Sequence, residues 1–273
     1  MKTFISLSAL FLSLSLTAQT NTATWYLNDT SGSGIQSTTN TASGDYSTAM
    51  GLGTTASGNP STAMGRGTKA SGDESTAMGY LTTASGTRST AMGAYTIASG
   101  VYSTAMGTST RASDWSSLVM GQFNLSGSTV TSSAVEFSLN NTAFVIGNGT
   151  ASNNRSDALV VKFNGDATLA GNLNINSDAR LKANIVSLGS TLSKLLQIDG
   201  KSYTMKKDES EKQKIGLLAQ DIEKVFPELV SESHGIKSVN YQGLVPVLIN
   251  ALKEQQSEID ELKTMLKAII EKT

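Results

Sequence analysis

The chain of 273 residues is long enough for two domains. Its 21 basic and 22 acidic side chains give a net charge of −1, leaving no basic surplus to neutralise phosphates and excluding an electrostatic nucleic-acid binder. With no cysteine, neither a disulfide framework nor a thiolate metal site is available; the single histidine, His234, sits beside Gly235 in a polar stretch without metal-ligand partners, so no metal or cofactor is expected.

Residues 1–18 read as an export signal. Lys2 supplies the positive start, Phe4 to Leu16 is an apolar run diluted by serine, and Leu16-Thr17-Ala18 ends on a small residue. No cysteine follows to carry a lipid anchor, and no later segment reaches the ~20 apolar residues that cross a bilayer. The mature chain is therefore expected outside the cell or on its surface, without a membrane span. Residues 19–41 are rich in Thr, Ser and Asn and form an N-terminal cap, with Trp25-Tyr26-Leu27 as a capping strand over the first coil of a repeat array.

From Ala42 the sequence is periodic. Ser-Thr-Ala-Met-Gly begins at Ser47, Ser61, Ser75, Ser89 and Ser103, a spacing of fourteen, and Ser117-Leu118-Val119-Met120-Gly121 continues it in degraded form. Ala-Ser-Gly keeps the same interval at Ala42, Ala56, Ala70, Ala84 and Ala98. A fixed short period means one unit stacked on itself. The unit is β: each repeat is glycine-rich and has no 3.6-residue apolar stripe, and Thr48 and Met50 alternate with Ser47, Ala49 and Gly51. Two short strands and two turns fit in each repeat. Stacking places Met50 to Met120 in one column, about 4.8 Å apart, and alanines in another; the methionine column reads as core rather than a metal or cofactor box.

Between the motifs lie variable turn residues such as Asp45-Tyr46, Asn59-Pro60, Asp73-Glu74, Thr87-Arg88 and Val101-Tyr102. Any specificity for a surface or glycan ligand would reside there, although they form no recognisable binding code. Residues 42–121 resemble the head of YadA-type trimeric autotransporter adhesins, whose repeat carries valine and isoleucine near the Thr and Met positions here. The resemblance implies a left-handed parallel β-roll in which three chains pack side by side, hence a homotrimer. Threonine in place of valine leaves a weaker core, and the membrane β-barrel of those adhesins has no counterpart in the sequence.

Residues 122–175 lose the strict period but remain strand-like at Ala143 to Gly147 and Ala158 to Phe163, and are expected to form a β stalk or neck. Asn164-Gly165 predicts a tight hairpin turn before Ala167-Thr168-Leu169. A further strand pair through Asn172-Leu173-Asn174-Ile175 is expected to lead into the next segment.

Residues 176–273 are more charged and read as a small α+β domain. Strands are expected at Lys201 to Met205 and Ser238 to Tyr241, and a helix from Gly216 to Val230, with Leu218, Ile222, Val225 and Phe226 on one face. Residues 245–270 read as a coiled coil with Val245, Leu252, Ile259 and Leu266 at a and Leu248, Gln255, Leu262 and Ile269 at d. An amphipathic helix docked on its own domain is the alternative.

The chemistry-bearing stretch is Asn176-Ser177-Asp178-Ala179-Arg180-Leu181-Lys182. A neutral lysine can take the proton of a nearby serine hydroxyl, provided burial or neighbouring cations favour the neutral amine. On the residues alone, Ser177-Asp178 could equally cap a short turn with Arg180 and Lys182 solvated. Read with Gly200-Lys201-Ser202-Tyr203, Ile215 to Val230, Val239-Asn240-Tyr241 and the final helix in that order, the stretch resembles the C-terminal intramolecular chaperone of phage endosialidases and tailspikes. That self-cleaving peptidase family is also represented in a membrane-bound animal transcription factor. The resemblance implies a trimerising chaperone that cuts itself between Asn176 and Ser177, with Ser177 as nucleophile and Lys182 as base; on the chemistry alone, Arg180 or a backbone amide is a candidate to meet the oxyanion and Asp178 a candidate to orient the lysine. An uncleaved adhesive fibre with the domain as a permanent clamp remains the alternative. A hydrolase of external glycans is disfavoured, because Asp45, Asp73, Glu74 and Asp114 are scattered turn acids without a recurring partner.

Overall fold

Alternation along each Ser-Thr-Ala-Met-Gly copy sorts side chains onto two faces, and that sorting builds the N-terminal part of the molecule. The computed structural model describes residues 26–27, 34–206 and 211–271, so the export-signal reading and Trp25 lie outside the described residues. The chain divides into two compact units, Met1–Asn174 and Ile175–Thr273.

The first unit is a parallel β-roll. Five-residue strands at Thr48–Leu52, Thr62–Arg66, Thr76–Tyr80, Thr90–Ala94, Thr104–Thr108 and Leu118–Gln122 stack in one sheet, and two-residue strands from Thr41–Ala42 to Arg111–Ala112 stack in the other. Copies pair in register, Met50 to Met64, Met64 to Met78, Met78 to Met92 and Met92 to Met106. Tyr26–Leu27 pairs antiparallel with Ile35–Gln36 at the sheet's first edge, a strand in the place expected of a cap.

Two alanine columns fill the roll: Ala42, Ala56, Ala70, Ala84, Ala98 and Ala112 in one, Ala49 to Ala105 continuing into Val119 and Val145 in the other, all at 0% exposure. Buried serine and threonine columns, among them Ser75, Ser89, Thr82 and Thr96, line the remaining walls. The methionines are not in this interior. Thr48 and Met50 share the opposite face of their strand from Ala49, so the Met column lies on the outside of the roll, with Met92 39% exposed. The expected methionine core is therefore an alanine core, because coils this narrow admit only the smallest side chains.

The coil turns through a left-handed corner at each rung. Gly79 has φ 116°, and a Cβ there would lie 2.1 Å from Gly93 O, so only glycine permits this approach. Two residues on, the corner is Gly53 and Gly67 in the early coils but Leu81, Tyr95, Ser109 and Phe123 later, all with positive φ.

The ladder runs on beyond Gln122. Thr142–Asn148 pairs in parallel with Leu118–Gln122, setting Phe144, Val145, Ile146 and Gly147 opposite Leu118, Val119, Met120 and Gly121. The intervening loop is tied down by buried Asp114, whose carboxylate accepts from Thr131 N at 2.6 Å, Thr142 N at 2.8 Å and Thr142 Oγ1. Trp115, Phe137 and Phe163 cluster beside it. A hairpin then pairs Asp157–Lys162 antiparallel with Ala167–Leu169 through the expected Asn164-Gly165 turn, with Gly165 at φ 88°.

The strand pair expected through Asn172–Ile175 is not formed. Residues 172–178 have no regular structure and are exposed, since among the described residues no strand offers them a partner.

In the second unit, Leu192–Leu195 is a one-turn helix, Lys201–Tyr203 pairs with Lys214–Gly216, and Val230–Ser233 pairs with Ile236–Val239. The helix expected over Gly216 to Val230 is shorter, Ala219–Val225. Gly216 belongs to a strand, opposite Lys201, and Pro227 forces Phe226 out of helical geometry at φ −139°, ψ 67°. Ile222, Phe226, Leu229, Leu244 and Val247 form the core. The final helix runs from Leu244 to Ile270.

Candidate functional site

Asp178 begins a turn of 3-10 helix at Ala179–Leu181, and its carboxylate accepts from Arg180 N at 2.9 Å. This turn reverses the chain enough to bring residues 177 and 182 together. Lys182 Nζ donates to Ser177 Oγ at 2.8 Å. Arg180 folds back onto Asp178, with Nε 3.0 Å from Oδ1 and Nη2 2.6 Å from Oδ2. That hydrogen bond from the Arg180 side chain, followed by the one from its backbone, holds the Asp178 carboxyl below its ordinary range. The carboxylate thus engages Arg180 while the lysine faces the serine.

Asn176, Ser177, Asp178, Arg180 and Lys182 are all exposed, as is the whole run from residue 165 to residue 190. Leu173, Ile175, Leu181, Ile185 and Val186 within it are each 60% exposed or more. The dyad has its contact distance but not the water-free surroundings in which a lysine amine becomes an effective base.

A second cluster lies on the long helix and escaped the sequence reading. Leu244, Val247 and Ala251 dock that helix on its own domain, and Glu254 continues their i, i+3, i+7 stripe. Glu254 Oε2 accepts from Ser190 Oγ at 2.7 Å and from Leu192 N at 3.2 Å, and Oε1 accepts from Thr191 N at 2.6 Å. Buried Thr191 completes the clasp by donating to Val247 O at 3.0 Å. These bonds, the Ser190 hydroxyl's first, hold the Glu254 carboxyl below its ordinary range. Serine and threonine eight and nine residues beyond Lys182, and a lone carboxylate on the docking stripe, were the available signal.

An adjacent face of the helix is open. Val245, Leu248, Leu252, Ile259, Leu262, Leu266 and Ile269 are exposed along the heptad seam. Among the described residues no helix is long and apolar enough to cross a membrane, and no group of three or more His, Cys, Asp or Glu is placed to hold a metal ion.

Comparison with known proteins finds likeness in two separate stretches of the chain. Residues 42–68, 70–96 and 98–122 match the YadA head domain repeat, and residues 177–231 match the family described as chaperone of endosialidase. Among curated proteins, the long tail fibre protein Gp37 of Salmonella phage S16 is 31% identical over 118 residues, covering 40% of this chain and 16% of that protein. Gp37 of Enterobacteria phage M1 is 36% identical over 103 residues, 34% of this chain and 40% of that protein. Gp37 of Enterobacteria phage Ox2 is 36% identical over 101 residues, 33% and 39% respectively. The chain thus spans less than half the length of these relatives. One stretch of the chain is thus similar to YadA head repeats, another beginning at Ser177 is similar to the chaperone-of-endosialidase family, and part of the chain is similar to phage long tail fibre proteins.

Proposed function

We propose that the protein is an exported homotrimeric fibre whose C-terminal unit brings three chains into register and then cuts itself off between Asn176 and Ser177. The observation that carries this reading is the open seam. One long helix presents seven apolar a and d side chains to solvent while a different stripe already docks it on its own domain, a division expected of a helix that also zips to copies of itself. The outward Thr and Met columns give the roll a matching face, and three is the number implied by the YadA-type repeat. Presented this way, the turn residues of the head face outward toward a surface or glycan ligand.

Assembly also supplies what the dyad lacks. Copies packed over the exposed run at residues 165–190 would exclude water from Ser177 and Lys182. Ser177 Oγ then attacks the Asn176 carbonyl carbon and its hydroxyl proton passes to Lys182 Nζ. As the new C–O bond forms, the C–N bond to Ser177 breaks and the proton moves to the freed amine. Water hydrolyses the ester, leaving an Asn176 carboxylate and a fragment that begins at Ser177.

Intact mass and light scattering on wild type beside Ser177→Ala and Lys182→Ala test both parts. The expected result is a trimer in each case and a fragment starting at Ser177 in wild type alone. Full-length chain in all three would replace self-processing by a permanent clamp, and a monomer in all three would sink the fibre reading.

A further inference from the structure

Ser190, Thr191 and Leu192 stand at the start of the one-turn helix Leu192–Leu195, whose preceding residue Thr191 makes no side-chain capping bond of its own. Glu254 does that work from the long helix, accepting from all three residues, while Thr191 Oγ1 holds Val247 O. Counting from Val245 at a, Glu254 is at c, so it binds this segment without touching the a and d seam. It is also the last docking point: beyond it every described residue of the helix is exposed. In the other direction the clasp is reached from Lys182 by an exposed linker, residues 183–189, with no docked residue in between.

We propose that Glu254 is a positioning residue that couples the long helix to the Ser177–Lys182 segment, so that packing of the helix seam is felt at the scissile bond; this rests on the self-processing reading above. A seam that closes fixes the helix, the helix carries Glu254, and Glu254 fixes the downstream end of the segment whose upstream end is Ser177. Released from this anchor, the segment can still bring Lys182 to Ser177 through the local 3-10 turn but no longer holds that turn in one place relative to the assembled helices.

The test uses the full chain, as Glu254→Ala, Glu254→Gln and Ser190→Ala, each with and without Ser177→Ala to keep it uncut. Light scattering reports assembly, mass-resolved hydrogen exchange reports protection over residues 179–195, and intact mass over time reports cleavage. Glu254→Ala is expected to assemble as wild type does, to exchange faster through residues 179–195, and to cleave roughly tenfold or more slowly, as a small misplacement of reacting groups does. Glu254→Gln, which keeps an acceptor oxygen, should recover part of the rate. Faster exchange confined to residues 190–195, or wild-type cleavage in Glu254→Ala, overturns the coupling. Should Glu254→Ala fail to assemble, Ser190→Ala, which removes one donor only, must show the same pattern in milder form, and wild-type behaviour there overturns it. A wild-type chain that stays whole sinks self-processing instead, and the coupling is then decided by whether exchange spreads to residues 179–189.

Discussion

The alanine columns set the tolerance of the roll. Ala91 is fully buried between Ala77 and Ala105, and Ala91→Val inserts two methyl groups where neighbouring rungs cannot part, an overpacking expected to cost about 1–3 kcal/mol. Gly79→Ala should be costly too, with φ 116° and the Gly93 carbonyl in the way, whereas Ser109→Gly, at φ 54°, should be stabilising by about 1 kcal/mol. Thermal unfolding of the three variants beside wild type checks both signs. Asp114→Asn leaves one of the donors at Thr131 and Thr142 without an acceptor in a buried place, for a loss of about 1–3 kcal/mol in the same assay. Glu254 titrates below the ordinary carboxylate range because Ser190 and the Thr191 amide bind its charged form. A carboxyl depressed on folding contributes stability above its unfolded pKa and loses it as pH falls through the folded one, so the clasp is intact at neutral pH and released only in acid. Carboxyl-carbon NMR should place its midpoint below the ordinary glutamate range, and Ser190→Ala should move it up.

Elements were legible in the sequence where one local rule dominated. The fourteen-residue interval fixed the strands of the roll, the Asn164-Gly165 pair fixed a hairpin, and the heptads fixed a helix that runs from Leu244 to Ile270. Legibility failed where a neighbour decided the outcome. Leu217 and Leu218 fit a helical face, but the Tyr241 hydroxyl accepts from Leu217 N and the chain stays extended to Leu218. Thr142–Asn148 reads as an isolated strand because an insertion separates it from its rung, although Phe-Val-Ile-Gly repeats the pattern Leu-Val-Met-Gly of the rung before. In the candidate site, proximity of Ser177 and Lys182 was readable from a turn-forming spacing. The Asp178–Arg180 pairing and the reach of Glu254 were not, since each depends on side-chain direction in folded space. On the proposed trimer, Leu252→Asp places a charge at the middle of the seam. Light scattering should find the chain monomeric, with the short strands around Tyr203 and Ile236 retained by circular dichroism.

At the scale of the whole molecule, the two units differ in how they close. The C-terminal unit gathers distinct segments onto one long helix, Thr191 bonding Val247 across 56 positions, whereas the roll repeats one parallel pairing rung after rung. Parallel pairing is slow to nucleate, and identical rungs invite a slip by one repeat. In the proposed trimer, zipping of the helices would raise the local concentration of the other two chains and remove most of the slipped alternatives before the roll winds. A chain ending at Asn176 is therefore expected to yield much less soluble trimer on size exclusion than the full chain, and a normal yield of trimer from it would argue that the roll registers itself.

The in-register rungs also make the roll a gauge of distance. Each block of fourteen residues adds one strand spacing, about 4.8 Å, along the stack, and hands the next block the same alanine, glycine and methionine positions it received. Reach outward is then set by copy number alone: duplicating residues 75–88 should lengthen the stack by that one increment, while inserting seven residues, half a coil, would set five-residue strands over two-residue ones and methionine over serine.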